Sequence, residues 1–327
     1  MPFSDNIIED SSNNYFHNGY FLGSSFLSEK STLESRELFS ILFDTYKQKL
    51  QQTQSFPRLQ IDWLTNQKDL SVIINLLYSK KIIQALNSFS ERYGSKVYVL
   101  PPFEIMKNYS NDRIKSGGIG WHRDADGELS DPITIELLQD PQFVLGKLGI
   151  YFQENNIFPG GIDVIPESQY LNKANSSLLK RLIPISKLRL LQKFHDLYPN
   201  LYVKINEKKY MKFINAKKIS NNSGDFVLFD SRIFHRGSIG SEEVLKDVEF
   251  IDEHLCVLPE EKTKYVLYGL IASEIGLKAY IHDQHKRKEK GFDSTLEALN
   301  NCLELEPYGG SVNKHFDEAK ELLSKHL

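Results

Sequence analysis

The spacing of apolar positions divides the chain into three stretches. Over residues 1–95 it is mostly helical. SEKSTLESRELFSILFDTYKQKL opens on polar residues and then places Leu38, Ile41, Leu42 and Tyr46 three and four apart, the spacing that lines up side chains on one helix face. DLSVIINLLYSKKIIQALNSFSERYG repeats the pattern. From residue 96 the period shortens. KVYVLPPFEIMKNY, KLGIYFQ, GIDVIP, LYVKI, KYMKFI, DFVLFD and KYVLYGLIAS are short runs rich in Val, Ile, Tyr and Phe, punctuated by Gly, Pro and Asn. They read as strands set too closely for alternating βαβ units, which favours an antiparallel sandwich or barrel. After residue 275 helical spacing returns and runs to FDEAKELLSKHL.

One insertion interrupts the β region. Residues 171–198 have helix-like periodicity broken by Pro184, and the surrounding segment 167–219 carries twelve Lys or Arg against three acids, Glu167, Asp196 and Glu207. A second loop, 241–261, holds eight acids against one lysine. The basic segment suits an anionic small molecule. The plain alternative is a solvated face, or two loops that neutralise each other.

Composition narrows the class. The 327 residues supply ample apolar material for a core, with 40% hydrophobic and 25% charged residues, as in an ordinary globular protein. A net charge of −3 gives no global attraction for nucleic acid or an anionic membrane. Cys256 and Cys302 form neither a disulfide framework nor a CxxC pattern. MPFSDNIIEDSSNNY lacks the basic start and apolar core of a signal peptide, and no apolar run approaches the roughly 18 residues of a membrane span. A reduced, cytoplasmic protein is expected, which makes the sequons NYS, NSS and NNS chance matches.

Candidate chemistry begins at KSGGIGWHRDADGE, residues 115–128. On a strand, residues two apart share a face, so His122 and Asp124 would present an imidazole and a carboxylate to one small volume. A polar turn is the plain alternative. Asp126, four residues from His122, competes for the carboxylate role. A second histidine, His235, stands in SGDFVLFDSRIFHRGS where an apolar stretch meets a glycine. Alone it is an ordinary core histidine. Taken with His122 and Asp124, it completes two histidines and one carboxylate, the facial triad of non-haem Fe(II) oxygenases.

GWHRDADGE, KLGIYFQENNIFPGGIDVIPESQYL and GDFVLFDSRIFHRGS resemble, in order, three blocks of the phytanoyl-CoA dioxygenase superfamily of Fe(II)/2-oxoglutarate-dependent oxygenases. The resemblance covers roughly residues 96–272. It implies an α+β fold, a double-stranded β-helix (a cupin-like jelly-roll barrel), buttressed by helices from 1–95 and 276–327, with the jelly-roll core at 96–275. The whole chain, 1–327, would be one oxygenase domain. It also implies His122, Asp124 and His235 as iron ligands, 2-oxoglutarate as co-substrate and dioxygen as oxidant. A small molecule would be hydroxylated or otherwise oxidised while 2-oxoglutarate becomes succinate; related halogenases lack the carboxylate that Asp124 supplies.

The chain departs from the family at two places. Glu167 and Gln169 replace the Gly and His of the family's V-I-P-G-S-H corner. The arginine that pairs with the far carboxylate of 2-oxoglutarate, about ten residues beyond the distal histidine, has no counterpart. Lys264, opening an apolar strand, is the preferred candidate, and Lys246 in the acidic loop is the alternative. Arg236 should face away from His235 and pair with Asp230 or another nearby acid, and Trp121 should face the core. HDQH at 282–285 reads as a solvated helix end. Two rivals share the barrel: a metal-dependent dioxygenase that does not use 2-oxoglutarate, and a ligand-binding module without catalysis.

Overall fold

The computed structural model describes residues 15–24, 26–52, 58–107, 121–125, 131–154, 161–170, 186–187, 190, 211–237, 249–250, 256–257, 263–292, 294–307 and 313–327. Eight helices are assigned among them: α1 Glu29–Thr45, α2 Lys47–Gln52, α3 Gln67–Leu77, α4 Lys80–Tyr93, α5 Pro132–Leu137, α6 Glu274–Glu289, α7 Leu296–Leu303 and α8 Lys314–His326. The strands are β1 Tyr20–Gly23, β2 Arg58–Gln60, β3 Val97–Lys107, β4 Leu145–Tyr151, β5 Ile162–Val164, β6 Lys217–Ile219, β7 Phe226–Asp230, β8 His235–Gly237, β9 Glu249–Phe250, β10 Cys256–Val257 and β11 Tyr265–Ser273.

The Ser28 hydroxyl caps α1 by accepting from Ser31 N–H, satisfying a donor that the first turn leaves free. The buried stripe of α1 is Phe39, Leu42 and Phe43, and the Phe39 ring lies 4.9 Å from that of Phe152. Ile41, expected on this face, is 62% exposed. The larger Phe39 and Phe43 face the sheet in its place. The second amphipathic segment divides at Tyr78 and Ser79 into α3 and α4, and Gly94 ends α4 in the left-handed conformation at φ 64°, which glycine adopts without a Cβ clash.

Six strands form an antiparallel sheet in the order β1-β7-β4-β11-β3-β2, and a smaller one has the order β6-β5-β8. The large sheet is apolar on both faces. Along β7, Phe226 and Leu228 join the core shared with the helices, while Val227 and Phe229 join a second cluster. That second cluster also takes Ile162, Val164 and Ile219 from the small sheet, so the sheets pack face to face. A closed barrel does not form among the described residues. The sheets stay open, since β5, β6 and β8 are three residues each and at about 10 Å cover only part of the large sheet. No described helix is long and apolar enough to cross a membrane.

The strands read at β3, β4, β5, β7 and β11 are present. KYMKFI is not one: Met211–Phe213 is a helical turn, and the strand lies further on at β6. LYVKI, most of the basic insertion and most of the acidic loop lie outside the described residues.

Candidate metal centre

His122 and His235 are direct cross-strand neighbours. The His122 N–H donates to the His235 carbonyl at 3.0 Å, and the His235 N–H returns the bond at 2.9 Å. Such a mutually bonded pair holds two side chains on the same face of the ladder. On its other side His235 is registered with Val164 of β5. Two residues after His122 the chain turns, and Ala125 N–H donates to the Ser231 carbonyl at 3.0 Å, which brings Asp124 back beneath the two rings.

The ligand atoms of His122, Asp124 and His235 all lie within 4.8 Å of one another, a group able to hold a metal ion. His122 Nε2 is 3.5 Å from Asp124 Oδ1, and His235 Nε2 is 3.6 Å from Oδ2. His235 Nδ1 sits 3.1 Å from the Ile233 carbonyl. A carbonyl only accepts, so Nδ1 carries the proton and Nε2 presents a lone pair to the centre. Burial holds the His235 pKa down at about 4, against the pull of Asp124, so the imidazole is neutral at pH 7. Burial pushes Asp124 up, but Lys147 first, then His235 and His122, keep its carboxyl well below the usual carboxylate range. Asp124 Oδ2 is buried, with the Lys147 ammonium 3.1 Å away. An ionised oxygen in that position is costly unless a cation joins it, and two neutral imidazoles beside it complete a donor set that suits a divalent transition metal.

Lys147 escaped the sequence reading. It stands on β4 two residues before Gly149 and four before Tyr151, on the face toward the small sheet, and its Nζ is 3.1 Å from Asp124 Oδ2. Burial lowers its pKa, but Asp124 and Glu104 outweigh this and hold the ammonium above the ordinary lysine value. The available signal was a single lysine inside the apolar run LGKLGIY. A cavity of about 270 Å³ opens beside the centre, lined by Arg58, Glu104, Asp124, Lys147, Tyr268 and Arg287 among others.

The remaining candidates are not among the three ligands. Lys264 is buried at 2% exposure beside the Tyr151 ring, its Nζ 5.9 Å from the centroid. Lys246 and Asp126 lie outside the described residues. Arg236 pairs with Asp163, donating from Nε at 2.9 Å with its Nη2 at the same distance, while Asp230 is taken by Arg232. Trp121 is half-buried and stacks on the Arg236 guanidinium at 5.0 Å. His282 is not a solvated helix end: with Lys286 it binds Asp131, which precedes α5.

No family model matches the chain and no curated protein is similar to it. Among solved structures it is similar to EctD from S. alaskensis, with a TM-score of 0.48 and 11% identity over 81% of this chain and 76% of that one. It is also similar to the non-haem α-ketoglutarate-dependent epimerase SnoN from nogalamycin biosynthesis, with a TM-score of 0.45 and 10% identity over 82% and 83%. AviO1 from Streptomyces viridochromogenes gives a TM-score of 0.45 and 11% identity over 81% and 94%.

Proposed function

We propose that the chain is an Fe(II)/2-oxoglutarate-dependent oxygenase that hydroxylates a small molecule, built on the jelly-roll plan of the phytanoyl-CoA dioxygenase superfamily. The convergence of the ligand atoms of His122, Asp124 and His235 within 4.8 Å of one another carries this reading. The path of the chain supports it. From β3 it crosses to the small sheet at His122, returns at β4, crosses for β5 and β6, returns at β7, crosses at β8 and returns at β11, which is how a double-stranded β-helix winds.

When bound, Fe(II) supplies the oxidation in which a substrate C–H becomes C–OH while dioxygen and 2-oxoglutarate yield succinate and carbon dioxide. The protein's share is positional. His122 and His235 offer neutral nitrogen donors, and Asp124 offers the single negative charge. Lys264 is assigned to the far carboxylate of 2-oxoglutarate. It immediately precedes β11, two residues before Val266 of the second apolar cluster, where a buried ammonium supplies a point charge without an arginine's fork.

Anaerobic titration tests the reading. The protein should bind one equivalent of Fe(II), and 2-oxoglutarate should then raise a visible charge-transfer band. In Asp124→Ala and His235→Ala both signals should vanish while the far-UV spectrum persists. Undiminished iron binding in either variant would refute the centre. Iron binding without a band on addition of 2-oxoglutarate would favour the rival oxygenase without this co-substrate, for which the missing arginine speaks.

A further inference from the structure

Charged side chains of both signs line the cavity beside the centre. Arg58, Lys147 and Arg287 face Glu104 and Asp124. The charges form a chain: Asp124 is 3.1 Å from Lys147, Glu104 adds a second negative field at Lys147, and Arg58 lies 3.7 Å from Glu104. With no metal, Asp124 offsets Lys147 and Glu104 offsets Arg58. A divalent ion held by Asp124 draws on that carboxylate's charge, and Lys147 loses much of its counter-ion. A sheltered volume with excess positive charge favours an anion.

We propose that this cavity is the substrate subsite, that it receives an oxyanion group of the substrate (carboxylate or phosphate) at Lys147, and that it does so once the metal is in place. This deepens the oxygenase reading and rests on it. The volume of about 270 Å³ sits just below the range of sites for drug-sized ligands. A compact acid or phosphorylated compound therefore fits, and a whole CoA thioester does not. Lys147 is the contact because it bridges the centre and the cavity, with its side chain 34% exposed. By linkage, an anion that binds better with metal present must also tighten the metal.

Calorimetry on the Zn(II)-loaded protein, which cannot turn over, provides the test, with inorganic phosphate and acetate as separate probes. At least one probe should bind about tenfold or more weakly to Lys147→Met, which loses a charge-assisted contact. Lys147→Arg should stay within about threefold of wild type, because the charge remains. Arg58→Met, at an exposed position of the edge strand β2 and not itself one of the three ligands, should also weaken binding and carries the test should Lys147→Met misfold. Metal-free wild type should bind the same probe more weakly than the zinc form. Zinc stoichiometry is measured first. No zinc binding overturns the metal centre, and the subsite with it. Normal zinc binding with equal anion affinity in wild type, Lys147→Met and Arg58→Met overturns the subsite alone, since the anion then sits on the metal. Failure of both probes to bind the zinc form overturns it too.

Discussion

Glu167 holds a backbone conformation that its side chain opposes. At φ 64° it lies in the left-handed region, and its side chain is exposed, so nothing in its packing offsets a cost of about 1 kcal/mol. Glu167→Gly should raise stability by up to about 1 kcal/mol in urea denaturation, less what the glycine gains in unfolded-state freedom. Glu167→Ala, which keeps the Cβ, should not. Equal midpoints for the two variants would show that the conformation carries no strain. The corner stood out in the sequence, and the left-handed φ at Glu167 is one that glycine adopts without a Cβ clash. The neighbouring Gln169 turns its amide to the carbonyls of Phe16 and His17, each at 3.1 Å, a contact with the N-terminal segment that no local pattern announces. His122 and His235 could be read because a strand-end histidine is a local signal, whereas Asp124 reaches them through a turn and not by the strand alternation expected of its spacing. Lys147 could not, since one polar residue in an apolar strand looks the same whichever face it occupies until the partner sheet is known.

Arg236 shows the same limit at the scale of elements. Alternation along β8 separates it from His235, but its acid is fixed by register. Asp163 of β5 is directly opposite, and both side chains are almost wholly buried. The paired strand also carries His235, so this ion pair supports the candidate centre from behind. Asp163→Asn should cost about 3–5 kcal/mol in chemical denaturation, because it leaves a buried guanidinium without a counter-charge. Asp163→Leu combined with Arg236→Met should cost less than Asp163→Asn alone, as it removes both charges. A single variant within about 0.5 kcal/mol of wild type would mean that the pair holds nothing. Long apolar strands such as β4, β7 and β11 announced themselves by composition. The edge strands did not. Only Ile219 in Lys217–Ile219 is apolar, and its pairing is decided by β5; β1 and β2 are four and three residues within a stretch whose periodicity is helical.

Over the whole molecule, the helices from both ends of the chain cover one face of the large sheet, and a single apolar cluster extends from Tyr15 to Leu323. Helical periodicity at the two ends made that layer readable. The charges that fasten its last helix were not, because they join residues far apart in sequence. Glu274, at the start of α6, is 3.1 Å from both Lys325 and His326 of α8, and 3.2 Å from Lys278 on its own helix. Hydrogen bonds from Lys325 and then Lys278 lower the Glu274 pKa to about 2. A carboxyl depressed on folding stabilises the folded state above its ordinary value near 4.5 and loses that contribution as pH falls toward 2. Below that window Lys278, Lys325 and His326 face one another as uncompensated cations. The pair is exposed, so the loss should be a local loosening of α8 and not global unfolding. Hydrogen-exchange protection factors over residues 314–326 should therefore fall between pH 6 and pH 3 more than those of β4 and β11. In Glu274→Gln they should start lower at pH 6 and change less. An equal fall in both proteins would place the acid sensitivity of this helix elsewhere, with Glu318, which Lys96 of the preceding β3 segment contacts at 2.7 Å, as the next carboxylate to neutralise.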